Sequence, residues 1–173
     1  FNFLGPLANP ARPRAQAVGV ADARMAALMA GVLADRGNRG LVFHGDDGLD
    51  ELTTTTSSDV WVIDAGRVQA TRFNPADLGI APADRTALVG GDPQHNAGAV
   101  RETFAGRLGP VRDIVTLNAG AALLAFDGPD LDRPITDQLD AAVGRAAAAI
   151  DSGAASETLD RWVEATRNAA ARA

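Results

Sequence analysis

The sequence predicts an α/β fold: a mostly parallel central sheet flanked by helices, with a helical C-terminal portion. Three observations carry this. Strand-like, helix-like and strand-like apolar runs follow one another at residues 16–20, 25–33 and 40–44, the βαβ order of a parallel pair. From about residue 96 onward, apolar residues recur at helical spacing between glycine and proline stops. The chain has 173 residues and is 46% hydrophobic, which suits one sizeable domain, taken here as residues 1–173.

Residues 1–14 open apolar and continue through Gly5, Pro6, Pro10 and Pro13, which argue against a regular element. Phe1-Asn2-Phe3-Leu4 lacks an initiator Met and reads as the middle of a longer chain. Residues 16–20 form a short buried strand. Met25, Leu28, Met29, Val32 and Leu33 fall on one helical face, and Gly37 stops that helix. Residues 40–44 make the second strand and residues 60–63 a third. Asp64-Ala65-Gly66 turns a hairpin into residues 68–73. A proline-containing loop spans residues 74–85, and a helix is expected from about Asn96 to Gly106. Pro110 opens the next helix, with Ile114, Leu117, Ala121 and Leu124 on one face. Two further amphipathic helices, residues 137–152 and 157–171, flank Gly153.

The net charge of -6 argues against a nucleic-acid partner and against an anionic membrane surface. No apolar run reaches the ~18 residues of a membrane span. No secretory signal pattern is present. With no cysteine there is neither a disulfide framework nor a thiolate site, which fits a cytoplasmic protein.

The chemistry concentrates in one turn. His44-Gly45-Asp46-Asp47-Gly48-Leu49-Asp50-Glu51-Leu52, followed by four threonines, sets four carboxylates at the end of an apolar strand. Mg²⁺ prefers oxygen ligands and is usually held by one or two carboxylates together with substrate phosphate and water. From local composition alone, a solvated acidic loop is the commoner meaning of such a cluster. The threonines read mostly as β-prone residues lining a surface turn. His44 reads as a hydrogen-bonded structural histidine and Asn118 as a buried amide with backbone partners. Trp61 and Trp162 read as core or interface residues, and His95 is given no role. There is no dinucleotide fingerprint, no P-loop and no Ser-His-Asp order.

Four segments in order resemble the anthranilate phosphoribosyltransferase family, within the nucleoside phosphorylase/phosphoribosyltransferase-like group. Phe1-Asn2-Phe3-Leu4-Gly5-Pro6-Leu7-Ala8-Asn9-Pro10 is similar to the family's F-N-x-L-G-P-L-x-N-P. His44-Gly45 through Leu52 is similar to H-G-x-x-G-L-D-E-L. Pro110-Val111-Arg112-Asp113 through Ala121 is similar to P-x-R-D…L-N-A-x-A. Residues 149–155 are similar to A-I-D-S-G-x-A.

The resemblance implies the C-terminal part of the family's large α/β domain, with residues 1–14 as the interdomain hinge. It implies transfer of the 5-phosphoribosyl group from phosphoribosyl pyrophosphate to anthranilate in tryptophan biosynthesis, with Mg²⁺ as cofactor. Asp50 and Glu51 would be the metal ligands. Gly5 and Asn2 would border the acceptor, and no catalytic residue is assigned. Asp46 and Asp47 are read as the solvated approach to the site. The family's G-T-G-G-D and K-H-G-N-R phosphate-binding segments have no counterpart here, and Gly90-Gly91-Asp92 corresponds to a later family segment. The chain by itself is therefore expected to be inactive. The parent is expected to be a homodimer, and this chain to self-associate through exposed surface. Two alternatives stand beside this reading: a related phosphoribosyltransferase with another aromatic or nucleobase acceptor, and a non-enzymatic phosphate-binding or interaction module.

Overall fold

The computed structural model describes residues 4–172. Four strands make one sheet in the order β1 (Ala15–Gly19), β2 (Arg39–Gly45), β3 (Ser58–Asp64), β4 (Arg67–Phe73). The α/β expectation is met in a mixed sheet. β1 and β2 are parallel, with Ala17 opposite Leu41 and Val18 opposite Val42. β2–β3 and β3–β4 are antiparallel. The predominance of parallel pairing therefore does not extend past β2. The reason lies in the connections: only α2 (Ala23–Asp35) crosses over between strands, whereas β2 returns through the acidic turn and β3 through a tight hairpin. In that hairpin Ala65 and Gly66 both take positive φ, 48° and 75°, as a turn matched to strand twist requires.

Strand alternation divides the core between two faces. Leu41, Phe43, Val60 and Val62 point toward α4 (Pro110–Asp127) and α5 (Ile135–Asp151), where Leu117, Ala121 and Leu139 meet them. Val18, Val20, Val42 and Ile63 point the other way, onto Ala26, Met29, Ala30 and Leu33 of α2. β4 is exposed except for Thr71 and Phe73. Its charged Arg67 and Arg72 suit an outer strand that must not recruit another chain.

Local signals set the helix ends. Asp22 caps α2 by accepting from the Arg24 backbone N–H. Gly37, at φ 72°, closes it: the Gly37 and Asn38 N–H groups return to the Ala34 and Leu33 carbonyls. Leu28 and Val32, expected on the buried face of α2, are exposed; alanines at 26, 30 and 34 make the close contact with the sheet instead. α3 (Pro93–Phe104) begins earlier than expected, because Asp92 accepts from the His95 N–H at 2.8 Å and Pro93 occupies the first helical position. Residues 75–78, within the loop expected over 74–85, and residues 85–88, at its end, each make a short 3-10 turn, capped by Asn74 and Asp84 respectively.

α1 (Leu4–Leu7) is a single helical turn within the segment expected to be irregular. Pro6 is tolerated there because first-turn N–H groups have no helical partner. α4 and α5 pack at closest approach through Gly120, where an added Cβ would lie 2.7 Å from Val143 Cγ2. Buried Arg112 on α4 reaches Asp151 at the end of α5 (2.7 Å) and the Gly106 carbonyl. α6 (Ala154–Ala170) buries none of its residues, and Trp162 is exposed rather than in the core. Trp61 packs beside the α2-side core. No helix is long and apolar enough to cross a membrane, among the described residues.

Candidate functional site

The acidic turn leaves the C-terminal end of β2, and α2 begins just beyond the C-terminal end of the neighbouring β1. That end of a parallel strand pair is where open α/β sheets place ligands. His44 points back across it: its Nδ1 lies 2.7 Å from the Val20 carbonyl, so the bonded nitrogen carries the hydrogen and the ring ties β1 to β2. This is the structural role expected for it.

Asp46 and Asp47 are not a free approach to the site. Asp46 pairs with Arg72, which also pairs with Asp59, linking the turn to β3 and β4. Asp47 is half-buried and knots the turn. Its carboxylate accepts from Thr53 Oγ1 (2.7 Å), Thr55 Oγ1 (2.5 Å) and the Leu49 N–H (3.1 Å). Burial on its own raises the Asp47 carboxyl, but the Thr55 and Thr53 hydroxyls and two backbone N–H groups together hold it below the ordinary aspartate range. Thr53, Thr54 and Ser58 are fully buried, so they do not line a surface turn. They pack beneath it, and the Ser58 hydroxyl accepts from the Thr53 N–H.

The lowered Asp47 carboxyl has a consequence for pH. A group depressed in the folded state adds stability above its unfolded pKa and loses it as pH falls through the folded value. Asp47→Asn is therefore expected to flatten the acid limb of the stability curve below about pH 4, the ordinary aspartate range. Urea melts at stepped pH read this; an unchanged acid limb would show that the knot carries no such linkage.

Asp50 and Glu51 differ from their neighbours. Both are exposed, and among the described residues neither carboxylate has a hydrogen-bonding or ion-pair partner. Partial burial, then the adjacent Asp50 charge, raise the Glu51 carboxyl above its usual range. Two uncompensated, mutually repelling oxygen ligands suit a hard cation. No group of three or more His, Cys, Asp or Glu is arranged to hold a metal ion among the described residues. Two carboxylates are a donor set of the kind that Mg²⁺ takes from a protein, with phosphate and water completing its shell.

The backbone under these two carboxylates is tightly seated. Gly19, the last residue of β1, faces the Asp50 carbonyl so closely that an added Cβ would lie 1.6 Å from that oxygen. Leu52, fully buried, is gripped by Asn118, whose Oδ1 accepts from the Leu52 N–H and whose Nδ2 donates to the Leu52 carbonyl, both at 2.9 Å. The sequence marks Asn118 as a buried amide but does not name its partner 66 residues away. Gly19 is not singled out in the sequence, although a glycine inside a strand is a usual sign of a close backbone approach.

Gly5 lies apart from this turn. It is exposed, with nothing near its missing Cβ. The residues after it are tied to the N-terminal end of the β1–β2 pair, where the Leu7 carbonyl accepts from Arg36 and the Pro13 carbonyl from Asn38. β2 has seven residues, so at about 3.3 Å per residue the two ends are on the order of 20 Å apart. A cavity of about 920 Å³ at that far end is lined by residues that include Pro6, Arg12, Arg14 and Arg36. Asn2 lies outside the described residues.

Residues 1–156 match the family described as glycosyl transferase family, a/b domain. The chain belongs to this glycosyl transferase family. An anthranilate phosphoribosyltransferase of Acidothermus cellulolyticus is 60% identical over 98% of this glycosyl transferase chain and 47% of its own length. The crystal structure of anthranilate phosphoribosyltransferase from Thermus thermophilus is 35% identical, with a TM-score of 0.78 over 94% of this chain and 46% of that one. The Saccharomyces cerevisiae enzyme in complex with PRPP and Mg shares the glycosyl transferase fold at 21% identity and a TM-score of 0.75, over 88% of this chain and 42% of that one. The chain spans about half the length of the curated relatives it matches.

Proposed function

We propose that this chain is the metal- and pyrophosphate-facing part of an anthranilate phosphoribosyltransferase, acting in cytoplasmic tryptophan biosynthesis. The observation that carries the reading is the Asp50–Glu51 pair: exposed, without a partner among the described residues, and firmly seated at the C-terminal end of the parallel strands. In the complete reaction the anomeric C–O bond of phosphoribosyl pyrophosphate breaks and a C–N bond to the anthranilate amine forms. Pyrophosphate leaves and the amine proton is released. Asp50 and Glu51 would hold Mg²⁺, which would supply charge neutralisation to the departing pyrophosphate. The chain's own contribution is positioning: the turn fixes two carboxylates before the substrate arrives, so no reorganisation is needed then. No covalent protein nucleophile is required.

In this reading residues 1–14 form the interdomain hinge, and Gly5 and Asn2 border the acceptor. Their distance from the metal turn is then bridged by parts of the enzyme beyond these residues. The test is calorimetry of this chain with Mg²⁺ and phosphoribosyl pyrophosphate, added singly and together. Heat that requires both supports the reading; its absence at millimolar ligand counts against it. The same reading makes the complete enzyme a homodimer and has this chain self-associate through apolar surface such as Leu28 and Val32 on α2, which are 62% and 37% exposed. Sedimentation velocity at tens of micromolar reads this directly, and a monodisperse monomer would contradict it.

A further inference from the structure

We propose that Asn118 is the positioning residue of the Asp50–Glu51 pair, setting the metal seat from α4 without touching the metal. This rests on the reading of Asp50 and Glu51 as metal ligands. Among the described residues the two carboxylates have no hydrogen-bonding or ion-pair partner, so their placement depends on the backbone that carries them. On one side, that backbone rests against Gly19. On the other, the Leu52 side chain is fixed in the core, and its backbone is hydrogen-bonded by the Asn118 side chain and by no other side chain among the described residues.

The Asn118 amide imitates a neighbouring strand. It accepts from the Leu52 N–H and donates to the Leu52 carbonyl, the two bonds that a sheet partner would supply where the turn has left the sheet. Its second N–H donates to the Ile114 carbonyl at 2.9 Å, one helical turn back on α4. Both donors and the carbonyl are thus engaged, and this network admits only one orientation of the amide. The Asp47 knot acts on the other half of the turn, through Leu49, Thr53 and Thr55. Its carboxylate makes no bond to residues 50–52. Asn118 is therefore the side-chain anchor of the segment that bears the ligands.

Asn118→Leu keeps the size and apolar surroundings but removes all three bonds. Asn118→Ala is the milder variant and keeps the test open if leucine prevents folding. Mn²⁺, a paramagnetic substitute for Mg²⁺, is titrated into the 173-residue chain with pyrophosphate present and followed by electron paramagnetic resonance, at a temperature where circular dichroism shows the variant folded. The expected result is a loss of Mn²⁺ affinity of about 10-fold or more, the usual effect of removing a group that orients a ligand. Hydrogen exchange should quicken at residues 50–52 and stay slow in β3. A folded variant with wild-type Mn²⁺ affinity would overturn the proposal, because a merely structural amide would leave metal binding unmoved. Wild-type exchange at residues 50–52 would overturn it too. The Asp50→Asn, Glu51→Gln variant run in parallel separates the two ideas: if it binds Mn²⁺ as the wild type does, the metal reading fails, and the proposal built on it falls with it.

Discussion

Replacing Asp50 by Asn and Glu51 by Gln together is expected to abolish joint binding of Mg²⁺ and phosphoribosyl pyrophosphate while leaving the fold intact. Both side chains are exposed and hold no other part of the protein, so their loss removes no packing and no ion pair among the described residues. Surface changes of that kind usually stay within about 0.5 kcal/mol. Stability should if anything rise slightly near neutral pH. The Glu51 carboxyl is raised in the folded state by burial and by Asp50. Keeping it ionised therefore disfavours the native state above its folded pKa and has no cost below the unfolded value. The amides remove that conflict, and with it the charge that a divalent cation needs. In the complete enzyme, losing this electrostatic support should cost about 10² to 10³ in rate. Calorimetry beside a urea melt checks both halves. Undiminished binding by the folded double variant would move the metal elsewhere.

The largest expected effect on stability comes from Gly40→Ala. Gly40 sits in β2 with φ 136°, a conformation that L-residues rarely adopt. Its missing Cβ would fall 1.9 Å from the Gln16 carbonyl oxygen and 3.1 Å from Ala125 Cβ. Gln16 is its partner in the parallel pair, so the obstacle is backbone and cannot rotate away. Backbone strain of about 1–3 kcal/mol and overpacking of about 1–3 kcal/mol act together. A loss of roughly 3–5 kcal/mol is a large share of the ~5–15 kcal/mol that holds a typical domain together. Denaturant melts should show the midpoint falling steeply, or no folded protein at all. A shift under about 1 kcal/mol would mean that β1 can slide away from β2 without cost, a far looser sheet than its hydrogen bonding indicates.

Much of the fold was legible because its signals are local. The βαβ order, the Asp64-Ala65-Gly66 hairpin and the proline-led start of α4 each follow from a few adjacent residues. The strand directions after β2 were not, because a sequence does not state whether a connection crosses a sheet or turns back along it. The burial of Thr53 and Thr54 was missed for a related reason. The Thr53 hydroxyl and the backbone of both residues are served by Asp47, Ser58 and the Ala83 N–H, which makes an interior position tolerable for residues that otherwise look wet, while the Thr54 hydroxyl is buried with no hydrogen-bond partner among the described residues. Asp47 was misread in the same way, since composition records its charge but not the two hydroxyls aimed at it. Leu28 and Val32 obey helical spacing and still face outward. Periodicity identifies an apolar stripe, while the narrow sheet is covered by the alanine stripe beside it. Asp50 and Glu51 were singled out by motif, and their lack of partners is what distinguishes them physically from the carboxylates on either side.

The amide bridge from α4 to the acidic turn also bears on when the site comes into being. Leu52 and Asn118 are 66 residues apart, with two strands and α3 between them. Closing so long a loop is entropically costly, and contacts of high sequence separation are late and slow to form. Asp47, by contrast, ties only residues within eight positions of itself. The turn can therefore take its rough shape early, as a local event, while the end bearing Asp50 and Glu51 stays loose until α4 has docked. Folding of this domain and the final placement of Asp50 and Glu51 should finish in the same step.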